Sequence, residues 1–559
     1  MMRALKRYFS NWIARWGINL LVKWRWNSLH QATKKPQDSQ ERVLLSIIST
    51  NTSTQFGKNF DFGSISNIAD FQRQVPVQTY ETLYKYADEQ RRTQQPSLTQ
   101  EKPILYAQTS GTTGEPKYIP LTETALSDYK KQQQLVTYHF YQASPQAFCG
   151  DVLAIVSPAI EGHFESGVPF GSASGFIHNS MPRFVRERYI VPPSVCRIDN
   201  YTLKYQVILL LALANANITY IACANPSTLV RLLEMAKADL SVFTQYIESG
   251  AISFMDHLDE PTRADILTKF VANPARATQL KQLINRDNIG LADLWPNLKL
   301  ITTWTSGSCG MALTAITQHL SESVRIMDIG YLASEMRATV TIDIDTQSGL
   351  PLLQDHFFEF AETNTWDGGN KKTVLLDDLD VDKDYYLIVT TKAGLYRYFM
   401  NDIVTVTGKY QKTPLLKFLQ KGKGVTSITG EKLYEAQLLG AVSDVLRQND
   451  IQSVFIMGLA DINTAQYQVF IETKSRPSFS LHDVAGLLDQ ALCQRNLEYK
   501  TKRASGRLKH LEVYWLRSGS FEAYKAVCLQ QGQREGQFKT VALQYKDQFP
   551  FSFDQYIQY

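Results

Sequence analysis

Tyr106-Ala-Gln-Thr-Ser110-Gly-Thr-Thr-Gly114-Glu-Pro-Lys117-Tyr-Ile-Pro-Leu-Thr122 is a loop rich in glycine and hydroxyl groups. Ile104 to Ala107, at its start, is an apolar run that reads as a strand. Thr122 to about Tyr141, beyond it, reads as a helix. Ser110, Thr112 and Thr113 offer hydroxyls, Gly111 and Gly114 let backbone N–H groups approach an anion, and Lys117 adds a positive charge. That is phosphate-cradling composition between a strand and a helix. It is not a Walker A loop, which ends in Gly-Lys-Ser/Thr, because Lys117 follows Pro116 and precedes Tyr118. A turn-rich linker is the competing reading of any Gly/Thr loop.

Working outward, strand-like runs alternate with helical stretches, the pattern of an α/β protein. Val152 to Val156, Ile218 to Cys223, Leu298 to Thr303 and Val324 to Ile329 read as strands. A helix starts at Pro226-Ser227, and Tyr385 to Thr391 and Tyr396 to Val406 read as a hairpin turning at Ala393-Gly394. Gln420-Lys-Gly-Lys-Gly-Val425 is a glycine-punctuated connector. After it come a helix (431–447), strands (453–458 and 466–472), a helix (481–494), a strand (511–516) and a helix (520–530). The expected division is a large part, 1–424, and a smaller α+β part, 425–559, hinged at Gly422 and Gly424.

The chain has 559 residues, 44% hydrophobic and 20% charged, with 30 Gly and 20 Pro. Such a balance excludes disordered, collagenous and coiled-coil classes. With 58 basic against 54 acidic residues the net charge is +4, too thin for a dedicated nucleic-acid binder. The six cysteines include no Cys-x-x-Cys pair, which argues against a zinc ribbon and fits a reducing, cytoplasmic setting. Cys309 lies in a Gly/Ser-rich loop, and buried free thiols are the general expectation. No apolar run nears the roughly 20 residues needed to span a bilayer. From Met1 to Trp26 the chain is basic, with Leu5, Phe9, Trp12, Ile13 and Trp16 at helical spacing. That segment reads as a first helix packed on the body, as a membrane-surface anchor, or as a transit peptide.

The loop at 106–122 resembles the phosphate loop of adenylate-forming enzymes. Three later segments narrow the likeness: Tyr331-Leu-Ala-Ser-Glu335 is similar to the family's Tyr-Ala-Ser-Ser-Glu, Gly394-Leu-Tyr-Arg-Tyr-Phe-Met-Asn-Asp402 to the segment ending in Gly-Asp, and Gly430-Glu-Lys-Leu-Tyr-Glu435 to the start of the mobile C-terminal domain. In this order, from Phe71-Gln-x-x-Val75-Pro to Gln537-Phe-Lys539, they resemble the Gretchen Hagen acyl acid amido synthetases, in a bacterial-type member.

The resemblance implies a large N-terminal adenylate-forming domain, with β-sheets, packed helices and a barrel-like part, and a small mobile α+β domain. It implies ATP and Mg²⁺, a carboxylic acid adenylated with release of pyrophosphate, and transfer of the acyl group to an amine such as an amino acid. ATP contacts fall on Ser110, Gly111, Thr112, Thr113, Gly114, Tyr331, Ala333, Ser334, Asp402 and Lys539, and acid contacts on Thr113, Ser174 and Gly175. Catalytic roles fall on Lys117 and Lys432, and the metal on Glu335. The chemistry suits the residue types: an aromatic face for adenine, a carboxylate for Mg²⁺, an acceptor pair for ribose hydroxyls and a lysine for the α-phosphate. Phe399, Met400 and Asn401 replace an Arg-x-Gly that often precedes the Asp, and Gln420-Lys421 replace Gly-Arg. The competing functions are a coenzyme A ligase, which shares the phosphate loop, and a non-catalytic relative that only binds nucleotide. The identities of the acid and the amine, and the oligomeric state, do not follow from the sequence.

Overall fold

Lys117-Tyr-Ile-Pro-Leu-Thr122 forms a strand. In the computed structural model, Pro103–Thr109 and Lys117–Thr122 pair antiparallel with Thr109 opposite Lys117. The structure describes residues 22–109, 117–156, 158–179, 181–286, 288–306, 309–318, 320–367, 369–422, 424–429, 431–474, 481–531, 533, 538 and 540–558. The phosphate-loop residues Ser110, Gly111, Thr112, Thr113 and Gly114 therefore lie outside the described residues, as do Lys539 and the aromatic stripe of residues 5–16.

The expected strand–loop–helix order is corrected to strand–loop–strand–helix. Tyr118 and Ile119 favour extended backbone, and Pro120, which has no N–H to donate, is tolerated because this strand lies at the sheet edge. Helix Glu123–Ala143 starts only afterwards, capped by Thr122, whose Oγ1 accepts from the Ala125 N–H at 3.2 Å. The other edge of Pro103–Thr109 pairs in parallel with Pro169–Gly171.

Strands Asp151–Ile155, Ile218–Cys223, Leu300–Thr303 and Arg325–Asp328 form a parallel sheet in that order. Near-continuous apolar strands suit a sheet covered on both faces. Helices Tyr201–Ala214 and Pro226–Ser249 supply Leu209, Leu213, Leu229 and Leu232 to its core, with Ile221, Ile301 and Trp295. The Trp295 indole N–H donates to the Ala212 carbonyl at 2.8 Å, so the largest side chain of this cluster has its one polar atom satisfied.

The next sheet has six antiparallel strands in the order Phe357–Glu362, Asp384–Thr390, Tyr398–Tyr410, Thr413–Lys421, Gly349–Pro351, Thr339–Thr341. It stands where the resemblance expects the barrel-like part. The predicted hairpin is present. Gly394 turns it with φ 89°, and a Cβ there would stand 2.8 Å from Leu98 Cγ.

The C-terminal part holds a sheet ordered Glu512–Leu516, Gln466–Thr473, Ser453–Asp461, Leu543–Tyr545. Helices Glu435–Gln448, Leu481–Arg495 and Ser520–Gln530 are as read, except that the first begins at Glu435, which leaves Lys432 on the preceding turn. Leu497–Ala504 is an unpredicted helix, capped by Asn496, whose polar sequence hides one fully buried anchor, Tyr499. The whole is a mixed α/β protein with a large N-terminal and a smaller C-terminal part.

At the start of the described chain, residues 22–32 are helical. Val22, Leu29 and Ala32 are buried, and Trp26 meets the His139 ring edge-on at 4.5 Å. This section packs on the body. Among the described residues no helix is long and apolar enough to cross a membrane.

Candidate active site

Tyr331, on the loop leaving the parallel sheet, and Asp402, on a strand of the six-stranded sheet, are 71 residues apart, yet the Tyr331 hydroxyl donates to Asp402 Oδ2 at 2.6 Å. Tyr331 follows the last strand of the parallel sheet. The buried Asp328 carboxylate sets that exit by accepting from the Thr305 N–H (2.7 Å), the Thr305 hydroxyl (2.6 Å) and the Gly330 N–H (2.7 Å). Gly330 has φ 79°, and a Cβ there would fall 2.7 Å from the Thr339 carbonyl oxygen. Tyr331 is then fixed by its own N–H, which donates to Thr339 Oγ1 at 2.9 Å.

Ala333, Ser334 and Glu335 form a tight turn, closed by the Ala333 N–H on the Met336 carbonyl at 2.9 Å. The Tyr129 hydroxyl reaches the Ser334 carbonyl at 3.3 Å. Burial pushes the Glu335 carboxyl above its ordinary value. Lys421 and Lys117 pull it down, and Asp402 pushes it up. Those opposing influences place the three predicted residues Lys117, Glu335 and Asp402 within electrostatic range, around the turn that Tyr331 begins.

Lys421 completes the group. It is the register partner of Asp402 on the neighbouring strand, and its Nζ lies 3.1 Å from Oδ1. Asp402 beside it holds the ammonium above its ordinary value, with burial opposing. The sequence reading noted Lys421 only as a departure from Gly-Arg. The signal that could have found it was a cation one strand away from the motif aspartate.

Lys117 opens its strand with its amine 4.9 Å from the centre of the Tyr80 ring and 3.9 Å from Glu81 Oε1. Ser174 and Gly175 sit on helix Ala173–Asn179, where the Ser172 and Ser174 hydroxyls are 2.7 Å apart. Ala173, Phe176 and Ile177 of that helix join the apolar cluster that also holds Tyr331, Leu332 and Ala333. Lys432 stands apart from this group. Its N–H donates to Glu498 Oε2 at 3.0 Å and its carbonyl accepts from Asn496 Nδ2 at 2.6 Å, both within the C-terminal part.

A cavity of about 140 Å³ opens beside Tyr331 and Lys421. Trp304, Asp328 and Phe418 line it from the N-terminal part, and Glu435, Phe455, Phe521 and Phe538 from the C-terminal part. Lys432 is not among its lining residues. Glu435 is buried, and burial pushes its carboxyl up to about 7.

Two departures from the family pattern receive a structural account. Asn401 has φ 52°, in the left-handed region where glycine and asparagine are tolerated best, so it serves where the resemblance expects Gly. Gly422 and Gly424 do not have positive φ and are held by close packing. A Cβ at Gly422 would meet Asn401 Oδ1 at 2.2 Å and one at Gly424 would meet Glu435 Oε2 at 2.5 Å. Their N–H groups donate to the Asn401 and Lys421 carbonyls at 2.8 and 3.0 Å. In this conformation both glycines sit where two segments touch, with no room for a side chain.

The chain matches the sequence models of the GH3 family N-terminal domain over residues 25–326, the central domain over 349–421 and the C-terminal domain over 436–548. It is 24% identical to indole-3-acetic acid-amido synthetase GH3.4 of Arabidopsis thaliana, covering 91% of this chain and 90% of that one. It is 25% identical to 4-substituted benzoates-glutamate ligase GH3.12 of the same plant, covering 92% and 93%. Its fold is similar to that of the GH3.15 acyl acid amido synthetase, with a TM-score of 0.81 at 22% identity over 95% of each chain. A 2-hydroxyisobutyryl-CoA ligase in the postadenylation state shares the fold more distantly, with a TM-score of 0.53 at 12% identity over 93% and 92%. Since the N-terminal model alone spans more than half of the sequence, and the motif residues Tyr331, Glu335 and Asp402 gather in one place, the chain belongs to the GH3 family.

Proposed function

We propose that this protein is an ATP-dependent acyl acid amido synthetase, which adenylates a carboxylic acid and passes the acyl group to an amine, an amino acid in the first instance. The observation that carries the reading is the convergence of Tyr331, Asp402 and Lys421, with Glu335 and Lys117 in electrostatic range, from two sheets and a hairpin. Relatives over nine-tenths of the chain are named for making amides of indole-3-acetic acid and of substituted benzoates with glutamate.

In this reading the loop 110–114 and Lys117 hold the phosphates, and Tyr331 with Ala333 and Ser334 bounds the adenine. Asp402 takes the ribose hydroxyls, with Lys421 paired to it, and Ser174 and Gly175 border the acid. Lys432 and Lys539 reach the phosphates from the C-terminal part. Positioning and charge stabilisation supply most of the catalysis. Residues 1–424 and 425–559 act as two bodies, so that one site serves two nucleophiles in turn. The donor set suits Mg²⁺ brought in with ATP. Glu335 is a single half-buried carboxylate, and Mg²⁺ is commonly bound by one or two carboxylates together with substrate phosphates. When bound, Mg²⁺ would neutralise phosphate charge. The six cysteines are free thiols, which supports a cytoplasmic setting.

Acid-dependent pyrophosphate release, screened over a panel of carboxylic acids, followed by mass spectrometry of the reaction with amino acids and no coenzyme A, tests this. An N-acyl amino acid is the expected product. A thioester formed only with coenzyme A, and no amide, would replace the reading with that of a coenzyme A ligase.

A further inference from the structure

Glu431 is the residue before Lys432, and its side chain is fully buried, 0% exposed. Its carboxylate takes four donors. Oε1 accepts from the Ile428 N–H and the Tyr467 hydroxyl, both at 2.8 Å. Oε2 accepts from the Thr429 N–H at 2.9 Å and the Thr429 hydroxyl at 2.8 Å. Burial pushes this carboxyl up, but the donors outweigh it and hold the group below its ordinary value. No lysine or arginine pairs with it among the described residues.

Burying a charge without a counter-ion is costly, and a turn that only had to close could do so with neutral groups. Charge-assisted hydrogen bonds are shorter and about twice as strong as neutral ones, and here all four point into one turn. That turn lies between the paired strands Val425–Thr426 and Leu433–Tyr434. Tyr467 ties it to the C-terminal sheet and accepts in turn from Thr426 Oγ1 at 3.2 Å. On its far side Asn496 and Glu498 hold the backbone of Lys432, and Asn496 also caps the helix Leu497–Ala504. The backbone of Lys432 is thus fixed on both sides, while its ammonium makes no hydrogen bond or ion pair among the described residues.

We propose that Glu431 is the positioning residue for Lys432: its buried carboxylate ties Ile428 and Thr429 to Tyr467 of the C-terminal sheet, so that the lysine is delivered to the nucleotide phosphate in a preset geometry. This rests on the reading of Lys432 as the adenylation lysine. Displacing a catalytic group by about 1 Å can cost on the order of 10²-fold in rate. Gln at this position would turn its amide NH₂ towards a backbone N–H, of Ile428 or Thr429, whichever way it flips, while Asp keeps the charge on a shorter arm.

The test measures acid-dependent ATP–pyrophosphate exchange, and separately amide formation from supplied acyl-adenylate, in E431Q, E431D, K432A, Y467F and the double variant E431Q/K432A. Thermal melting establishes that each is folded. Expected are a loss of about 10–100-fold in exchange kcat for E431Q with an unchanged KM for ATP, smaller losses for E431D and Y467F, and amide formation from acyl-adenylate changed less than about twofold. In the K432A background E431Q should cost nothing further. An equal loss in both half-reactions, or a full additional loss on top of K432A, would reduce Glu431 to a structural residue and overturn the proposal. Should E431Q fail to fold, Y467F carries the same comparison. Unchanged exchange in K432A would overturn the reading of Lys432 itself, whereas a crippled K432A beside a normal E431Q would overturn only the role of Glu431.

Discussion

Asp402 and Lys421 face each other on neighbouring strands, with Nζ 3.1 Å from Oδ1, while the other carboxylate oxygen accepts the Tyr331 hydroxyl at 2.6 Å. Both oxygens are thus engaged before any ribose arrives. A carboxylate has about four lone-pair sites, so about two remain for the sugar hydroxyls of the proposed nucleotide, and the first two contacts fix its orientation. Lys421 is also the last residue of its strand, directly before the connector to the C-terminal part. The residue paired with Asp402 is therefore next to the connector between the two parts.

Removing this cation should be costly. Lys421→Met leaves Asp402 buried beside Glu335 without its ion pair. The lysine side chain is 37% exposed, so the loss of stability should be about 1–3 kcal/mol, below the full cost of breaking a buried pair. Urea melts read this directly. The KM for ATP should rise at least about tenfold, since each 1.4 kcal/mol is a factor of ten in binding.

Glu335→Gln should weaken the use of Mg·ATP while keeping the fold, because a neutral amide is a poorer ligand for a hard cation. Raising Mg²⁺ should restore part of the activity. A variant with a normal Mg²⁺ titration would remove Glu335 from the metal role. Burial holds this carboxyl above its ordinary value, so the wild-type KM for Mg·ATP should worsen as pH falls through the raised value, and the amide variant should lose that dependence.

Glu435 links pH to stability. Its carboxyl lies at about 7 in the folded protein against an ordinary 4.5, so folding takes up a proton between those values. Stability from this group is present at low pH and is lost as pH rises through that window, by about 3 kcal/mol at pH 8. Glu435→Gln, which keeps an oxygen to accept a backbone N–H, should stabilise the protein by about 2–3 kcal/mol at pH 8 and hardly at all at pH 4. Chemical denaturation at the two pH values measures the difference. An equal effect at both would show that the carboxylate is not carried buried and charged.

Asn401 should separate backbone from side-chain effects. At φ 52°, Asn401→Ala places a Cβ residue in the left-handed region and should cost about 1–2 kcal/mol, whereas Asn401→Gly should be near neutral. Thermal melts of both variants decide it. Equal destabilisation would mean that the asparagine side chain, and not its backbone, is what this position requires.

Local signals in the chain were enough for the α/β alternation, the parallel strands, the hairpin at Gly394 and the order of the motifs, because apolar periodicity, glycines and short charged motifs are properties of a few neighbouring residues. Lys117 was singled out by its loop, and Tyr331, Glu335 and Asp402 by the family resemblance; the fold brings the last three around one turn. The strand Lys117–Thr122 was not legible, since an edge position that tolerates Pro120 exists only once the sheet is assembled. Nor was the helix Leu497–Ala504, whose buried anchor is a single tyrosine. Lys421 became a partner of Asp402 through strand register, Glu431 acquired its four donors when a turn closed on Tyr467, and Gly422 and Gly424 proved to be points of contact. Those relationships depend on which backbone meets which across long separations, and only the folded chain, through packing and hydrogen-bond geometry, decides that.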